Sequence, residues 1–232
     1  MTFDGAVAEI ERLFHSGHGG SVFTPNVDHI VTADGNPALR AAYAKVDLAI
    51  ADGQWVVWAS RFLGTPLPEK ISGSDIVLPL ARRGHSIYLV GGSPGVAEPA
   101  ARRLEAEGAR IAGWDSPQVD PEAPQDELIA RIAGTRPDIV LVALGCPKQE
   151  IWIQRHGARL RPAVLLGVGG SLDFFAGRIR RAPRWISRSG LEWLYRLAHE
   201  PRRLARRYLV NDPKFLSLVL RTFRDPLVQR IR

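Results

Sequence analysis

At 232 residues and 45% hydrophobic content, the chain is long enough for a proper core, as one large domain or as a domain with an appendage. Its single cysteine, Cys146, excludes an intrachain disulfide and a Cys-rich zinc site. The net charge of +7 is uneven: residues 178–232 hold 15 Lys and Arg against 4 Asp and Glu, a net of +11, which leaves residues 1–177 at −4.

The predicted elements alternate. In chain order they are a strand at 21–24, a helix at 36–44, a strand at 48–51, helices at 54–63 and 74–83, and a strand at 87–90. A helix at 95–107, a weaker strand at 110–113 and a loop at 116–125 with three prolines follow. A helix at 124–133, a strand at 139–144, a helix at 150–160 and a strand at 163–168 complete the body. Apolar strands alternating with helices predict an α/β fold with a mainly parallel, Rossmann-like sheet covered by helices on both faces. After Ala176 the strands stop, and Arg-rich amphipathic helices are predicted at 191–199, 202–210 and 214–224. The expected division is a catalytic core at 1–188 and a helical appendage at 189–232. Met1 to Arg12 is polar and acidic, unlike a secretory leader. No apolar run reaches the roughly 18–20 residues of a membrane span. A cytosolic or peripherally bound protein is therefore expected.

Polar groups recur just after the apolar strands: Thr24-Pro25-Asn26-Val27-Asp28-His29, Asp52-Gly53, Gly91-Gly92-Ser93-Pro94-Gly95, Gly145-Cys146-Pro147-Lys148-Gln149-Glu150 and Gly167-Val168-Gly169-Gly170-Ser171-Leu172-Asp173. In a parallel sheet these ends share one edge, where open α/β folds bind ligands. Glycine lets the backbone approach a phosphate beside a helix N-terminus. A tight strand-to-helix turn needs glycine anyway, so no one of these loops decides the matter. The Lys148-Gln149-Glu150 run has a bland reading too, a solvated turn with a polar helix start. Asp52 suits a general base at a pocket lip, and equally an N-cap for the helix that follows. The six histidines show no metal-binding spacing, and no His adjoins Cys146, so neither a metal site nor a nucleophilic thiol is expected.

Taken together, these segments resemble the WecG/TagA/CpsF glycosyltransferase family. The resemblance runs from Thr24 to about Tyr208. Besides the segments above, it rests on Gly73-Ser74-Asp75, Ala176-Gly177, Arg181-Ala182-Pro183, the stretch from Gly190 to Leu197 containing Glu192-Trp193, and Glu200-Pro201 with Arg203. Two positions depart from the pattern: Cys146 stands where Ala or Met is usual, and Lys70 where Arg is expected. The resemblance implies inverting, metal-independent transfer of a hexose or N-acetylhexosamine from a UDP-sugar to an undecaprenyl-diphosphate-linked saccharide. The products would be cell-envelope or extracellular polysaccharides of the teichoic acid, common antigen or exopolysaccharide kind. It implies Asp52 as catalytic base and Thr24 in the pocket, with Asn26, Lys148, Gln149, Glu150, Asp173, Arg196, Arg203 and Arg206 on the substrates. Gly91, Gly92, Gly145, Gly169 and Gly170 would meet the nucleotide. No cofactor or metal is implied. The setting would be cytoplasmic, on the inner face of the cell membrane, with an anionic lipid surface as partner and homo-oligomerisation left open.

Elementary chemistry agrees with that implication. The chain contains no Asp-x-Asp pair to hold a metal on a diphosphate, so fixed cations must stabilise the leaving group. Arginine matches phosphate geometry bidentately, and arginines mixed with aromatics suit an anionic lipid surface. Three rivals are a basic-tailed nucleic-acid-binding protein, a Rossmann-type dehydrogenase and a non-catalytic membrane scaffold. The first lacks any helix-turn-helix, zinc-finger or RNP signature. The second lacks G-x-G-x-x-G after the first strand. The third fails if any UDP-sugar is turned over.

Overall fold

The structure, a computed structural model, describes residues 1–179 and 182–225. Arg181 of the Arg-Ala-Pro motif and the last seven residues of the expected appendage lie outside the described residues. The first half of the body runs α1 (Phe3–His15), β1 (Gly20–Phe23), α2 (Val27–Gly35), α3 (Pro37–Tyr43), β2 (Leu48–Ala49), α4 (Gln54–Phe62), α5 (Gly73–Arg82), β3 (Ser86–Gly91) and α6 (Ala97–Ala106). It continues with β4 (Arg110–Asp115), α7 (Asp126–Thr135), β5 (Ile139–Ala143), α8 (Lys148–His156), a 3-10 turn at Gly157–Leu160, β6 (Val164–Gly167) and α9 (Ser171–Phe175). The C-terminal part comprises α10 (Arg184–Arg188), α11 (Glu192–His199), α12 (Pro201–Arg206), a π-helical turn at Arg207–Asn211, and α13 (Lys214–Arg224).

The six strands form one sheet in the order β2-β1-β6-β5-β3-β4, every neighbouring pair parallel. The predicted α/β class is therefore the observed one. Alternation along the strands feeds two cores. Ile139 and Leu141 of β5 join Ile87 and Leu89 of β3 against α1, α5, α6 and α9. Val140 and Val142 join Tyr88 and Val90 against α3, α7 and α8. Both faces are apolar, as a parallel sheet flanked by helices requires. Trp152 of α8 is fully buried, and burial of such a side chain contributes about 1.5–3 kcal/mol.

The register aligns the strand ends. Phe23 pairs with Gly167, Val142 with Gly167, and Gly91 with Ala143. Thr24, Gly91, Gly145 and Gly169 therefore emerge at one edge. At Gly91 the backbone has φ of 101°, and an added Cβ would lie 2.6 Å from the Ala143 carbonyl oxygen. Only glycine lets β3 leave the sheet there.

Three local outcomes differ from expectation. Residues 3–15 form a helix that the acidic composition hid: Thr2 caps it, and Val7, Ile10 and Leu13 bury one face. The polar segment after β1 is itself the start of α2, with Asn26 as N-cap. The second strand is shorter than expected, though the chain still tracks β1: the Ile50 N–H donates to the Phe23 carbonyl at 2.9 Å and the Asp52 N–H to that of Pro25 at 2.8 Å.

The C-terminal helices pack back on the body. The Trp55 indole N–H donates to the Gly190 carbonyl at 3.1 Å, Phe62 stacks on Phe223 with ring centroids 4.8 Å apart, and Arg221 pairs with Asp34. Among the described residues, no helix is long and apolar enough to cross a membrane.

Candidate active site

A cleft of ≈ 150 Å³ opens at the C-terminal ends of β1, β2, β5 and β6. Its floor carries Thr24, Asn26, Asp52, Gln149, Gly169 and Gly170, and its roof carries Glu192, Arg196, Arg203 and Arg207 from the C-terminal helices. The strand-end residues and the tail arginines thus meet in one place, although more than a hundred residues separate Asp52 from Arg196.

Asp52 is half-buried, and its Oδ1 accepts the Ser72 hydroxyl at 2.8 Å. The N-cap alternative is overturned: the residue at the cap of α4 is Gly53, and no side chain bonds there. Burial pushes the Asp52 carboxyl up from its ordinary value, against the opposing pull of Lys70, the Ser72 hydroxyl and Arg196. Lys70 itself is held by Glu192 and by the Ser187 hydroxyl at 2.6 Å, and that hydroxyl also donates to Glu192 at 2.7 Å. Burial would raise Glu192, but Lys70 and Ser187 outweigh it and hold this carboxyl below its ordinary value. This brace ties the segment before α5 to α10 and α11 directly beside Asp52.

The Gly145–Glu150 run is no solvated turn. Gln149 is 1% exposed and Glu150 fully buried. Gln149 Nε2 donates to Glu150 Oε1 at 2.6 Å, and the Gly169 N–H donates to Gln149 Oε1 at 3.0 Å. One amide therefore joins the β5–α8 turn to the β6–α9 turn. A Cβ at Gly167 would lie 3.1 Å from that Nε2, so glycine makes room for it. The Thr24 hydroxyl donates to the Gly167 carbonyl at 2.8 Å, which fixes β1 against the same turn. Asn26 Oδ1 accepts the N–H groups of Asp28 at 3.0 Å and His29 at 3.4 Å, and also receives Arg207 Nη2 at 3.2 Å.

Of the three tail arginines expected at the site, Arg196 and Arg203 line the cleft. Arg196 lies 5.8 Å above the Phe174 ring, and its buried Nε has no hydrogen-bond partner among the described residues. Arg203 Nε donates to Glu200 at 2.6 Å. Arg206 is exposed and outside the lining, whereas the next residue, Arg207, faces in and approaches Asp28 at 3.5 Å. A helix turns about 100° per residue, so motif position alone could not separate these neighbours. Lys148 is exposed and Asp173 half-buried, both outside the lining. Burial raises the Asp173 carboxyl, with Arg203 opposing. Gly91 and Gly92 shape the sheet edge without lining the cleft, whereas Gly145, Gly169 and Gly170 line it. Sequence reasoning passed over Ser72, Glu192 and Arg207 as site residues. Ser72 and Glu192 lie in or beside recognised motifs, which was the available signal.

A half-buried carboxylate facing guanidinium groups at the carboxyl edge of a parallel sheet is an arrangement for chemistry on an anionic substrate. The family model described as "Glycosyl transferase WecG/TagA/CpsF family" matches residues 1–228. The chain is also 33% identical over 209 residues to a Bacillus spizizenii protein named N-acetylglucosaminyldiphosphoundecaprenol N-acetyl-beta-D-mannosaminyltransferase, covering 88% of this chain and 79% of that protein. The chain belongs to the WecG/TagA/CpsF family and is a glycosyltransferase. The nucleic-acid alternative finds no support in these matches, and three of the tail's arginines turn into the cleft rather than outward.

Proposed function

We propose that the enzyme transfers a hexose or N-acetylhexosamine from a UDP-sugar to an undecaprenyl-diphosphate-linked saccharide, with inversion and without a metal, in cell-envelope or extracellular polysaccharide synthesis. The observation that carries this reading is the convergence of Asp52 with Arg196, Arg203 and Arg207 in one cleft. The acceptor hydroxyl oxygen attacks the anomeric carbon while Asp52 takes its proton. The bond to the UDP oxygen breaks, and the electron pair leaves on the diphosphate. Burial makes Asp52 a stronger base than a solvated carboxylate, and Lys70 and Arg196 favour the ionised form it must start from. Arg196 and its neighbours neutralise the departing diphosphate in place of a divalent ion.

In this reading residues 1–188 supply the base and the later helices complete the site. The exposed Trp185, Leu194, Leu209 and Leu216, set among arginines, support docking on the anionic inner face of the cell membrane. The name of the Bacillus spizizenii relative makes N-acetylmannosamine the first sugar to try, on an N-acetylglucosaminyl-diphosphate-lipid acceptor. The test is a panel of UDP-sugars against that acceptor in the presence of EDTA. Transfer from at least one donor with an inverted anomeric centre is expected. Activity that EDTA abolishes and magnesium or manganese restores would overturn the assignment of the arginines in place of a metal.

A further inference from the structure

We propose that His29, Cys146 and Glu150 form a binding site for a divalent transition-metal cation of the zinc class. A ring nitrogen of His29, the sulfur of Cys146 and a carboxylate oxygen of Glu150 all lie within 4.8 Å of one another. Two segments supply them: His29 comes from the first turn of α2, and Cys146 and Glu150 from the single Gly145–Glu150 run that leads from β5 into α8.

Two further observations point to a cation. Glu150 is fully buried, and its Oε2 has no hydrogen-bond partner among the described residues, while Oε1 accepts from Gln149. A buried carboxylate oxygen left without a partner is costly, and a bound cation relieves that cost. The second observation is the orientation of His29. Its Nδ1 stands 2.9 Å from Asn26 Oδ1, an oxygen already identified as an acceptor by the two backbone N–H groups it receives. The Asn26 backbone N–H also approaches that nitrogen, at 3.4 Å. The other ring nitrogen, Nε2, faces Glu150 Oε1 at 3.1 Å. The Asn26 contact thus holds the ring with Nε2 turned to the Glu150 carboxylate, the orientation a shared cation requires. A histidine that gives its other N–H to an oxygen is also the usual outer-shell arrangement around a metal.

The donor set selects the metal. One nitrogen, one sulfur and one carboxylate oxygen suit zinc or cobalt, whereas magnesium and calcium take oxygen ligands. Bonds of about 2.0–2.3 Å at tetrahedral angles hold ligand atoms roughly 3.3–3.7 Å apart, so the side chains must close by about 1 Å. Coordination releases the Cys146 thiol proton to solvent. His29 and Cys146 line the cleft while Glu150 lies beneath it, so the fourth position opens into the cleft. The inference does not rest on the proposed sugar transfer, because binding is read without substrate.

Cys146 is the sole cysteine, so every thiol signal reports on this site. The full chain, stripped with chelator, is titrated with cobalt chloride and then zinc chloride near neutral pH. One equivalent of cobalt with a sulfur-to-cobalt charge-transfer band, displaced by zinc, is expected. Zinc should also slow iodoacetamide labelling of Cys146 by about tenfold or more. Cys146→Ala should abolish the band, and Glu150→Gln should weaken zinc binding by about tenfold or more, as loss of a ligand does, with the circular dichroism unchanged. Absence of the band in the wild-type chain, or labelling indifferent to zinc, would overturn the proposal even if the variants failed to fold. Equal zinc affinity in a folded Cys146→Ala would do the same and assign the metal to surface histidines.

Discussion

Replacing Asp52 by Asn separates chemistry from architecture at this position. The Asn carbonyl oxygen can still accept the Ser72 hydroxyl, which now lies 2.8 Å from Asp52 Oδ1. What disappears is the charge and the ability to take a proton. General-base catalysis contributes about 10²–10⁴ in rate, or roughly 2.7–5.4 kcal/mol in the barrier. Turnover should fall by that factor while UDP binding persists. Stability should move the other way. Burial raises this carboxyl, so the folded state holds its proton more tightly than the unfolded state, and ionisation of Asp52 costs stability at every pH above its unfolded value. A neutral isostere removes that cost but also weakens one charge-assisted hydrogen bond, worth about 1 kcal/mol more than a neutral one. The net change should lie within about 1 kcal/mol and favour the variant at neutral pH. The assay is single-turnover sugar transfer per folded molecule, alongside urea denaturation. Turnover within threefold of wild type, or a stability loss well beyond that margin with turnover intact, would refute the role of Asp52 as base.

The neighbouring arginines offer a contrast: Arg207→Ala should lower kcat by about 10²–10³, as loss of one electrostatic donor does, and Arg206→Ala should cost at least tenfold less, measured in the same transfer assay. Burial lifts the Asp212 carboxyl to about 6 against the pull of Arg207, so stability should decline as pH rises from its unfolded value through that point. After allowance for solvent screening the decline is about 1–2 kcal/mol, and Asp212→Asn should flatten it in denaturation profiles taken across that range. Gly190 has φ of 75°, and an added Cβ would lie 2.6 Å from the Trp58 ring. Gly190→Ala should therefore cost about 1–3 kcal/mol and loosen the C-terminal helices over the cleft, read as a lower Tm and a raised KM for the donor.

The α/β class was legible in the sequence because apolar strands buried on both faces leave continuous runs, while the family was legible separately, through the resemblance of the motifs that follow those strands. Strand 139–144 and the turn after it were visible for that reason. Helix 3–15 was not, because its buried face is only four residues wide among acidic neighbours. The candidate base was legible as Asp52, but the choice between base and helix cap was not. That choice depends on where Ser72 and Gly53 fall, which is decided by how the chain leaves β2. The sequence could mark a row of arginines. Only the turn of α12 into the π-helical segment decides that Arg207, and not Arg206, faces the cleft. The sequence argued against a metal site because the six histidines show no metal-binding spacing. Parallel strands bring distant loops to one edge, and that topology alone sets His29 beside Cys146 and Glu150.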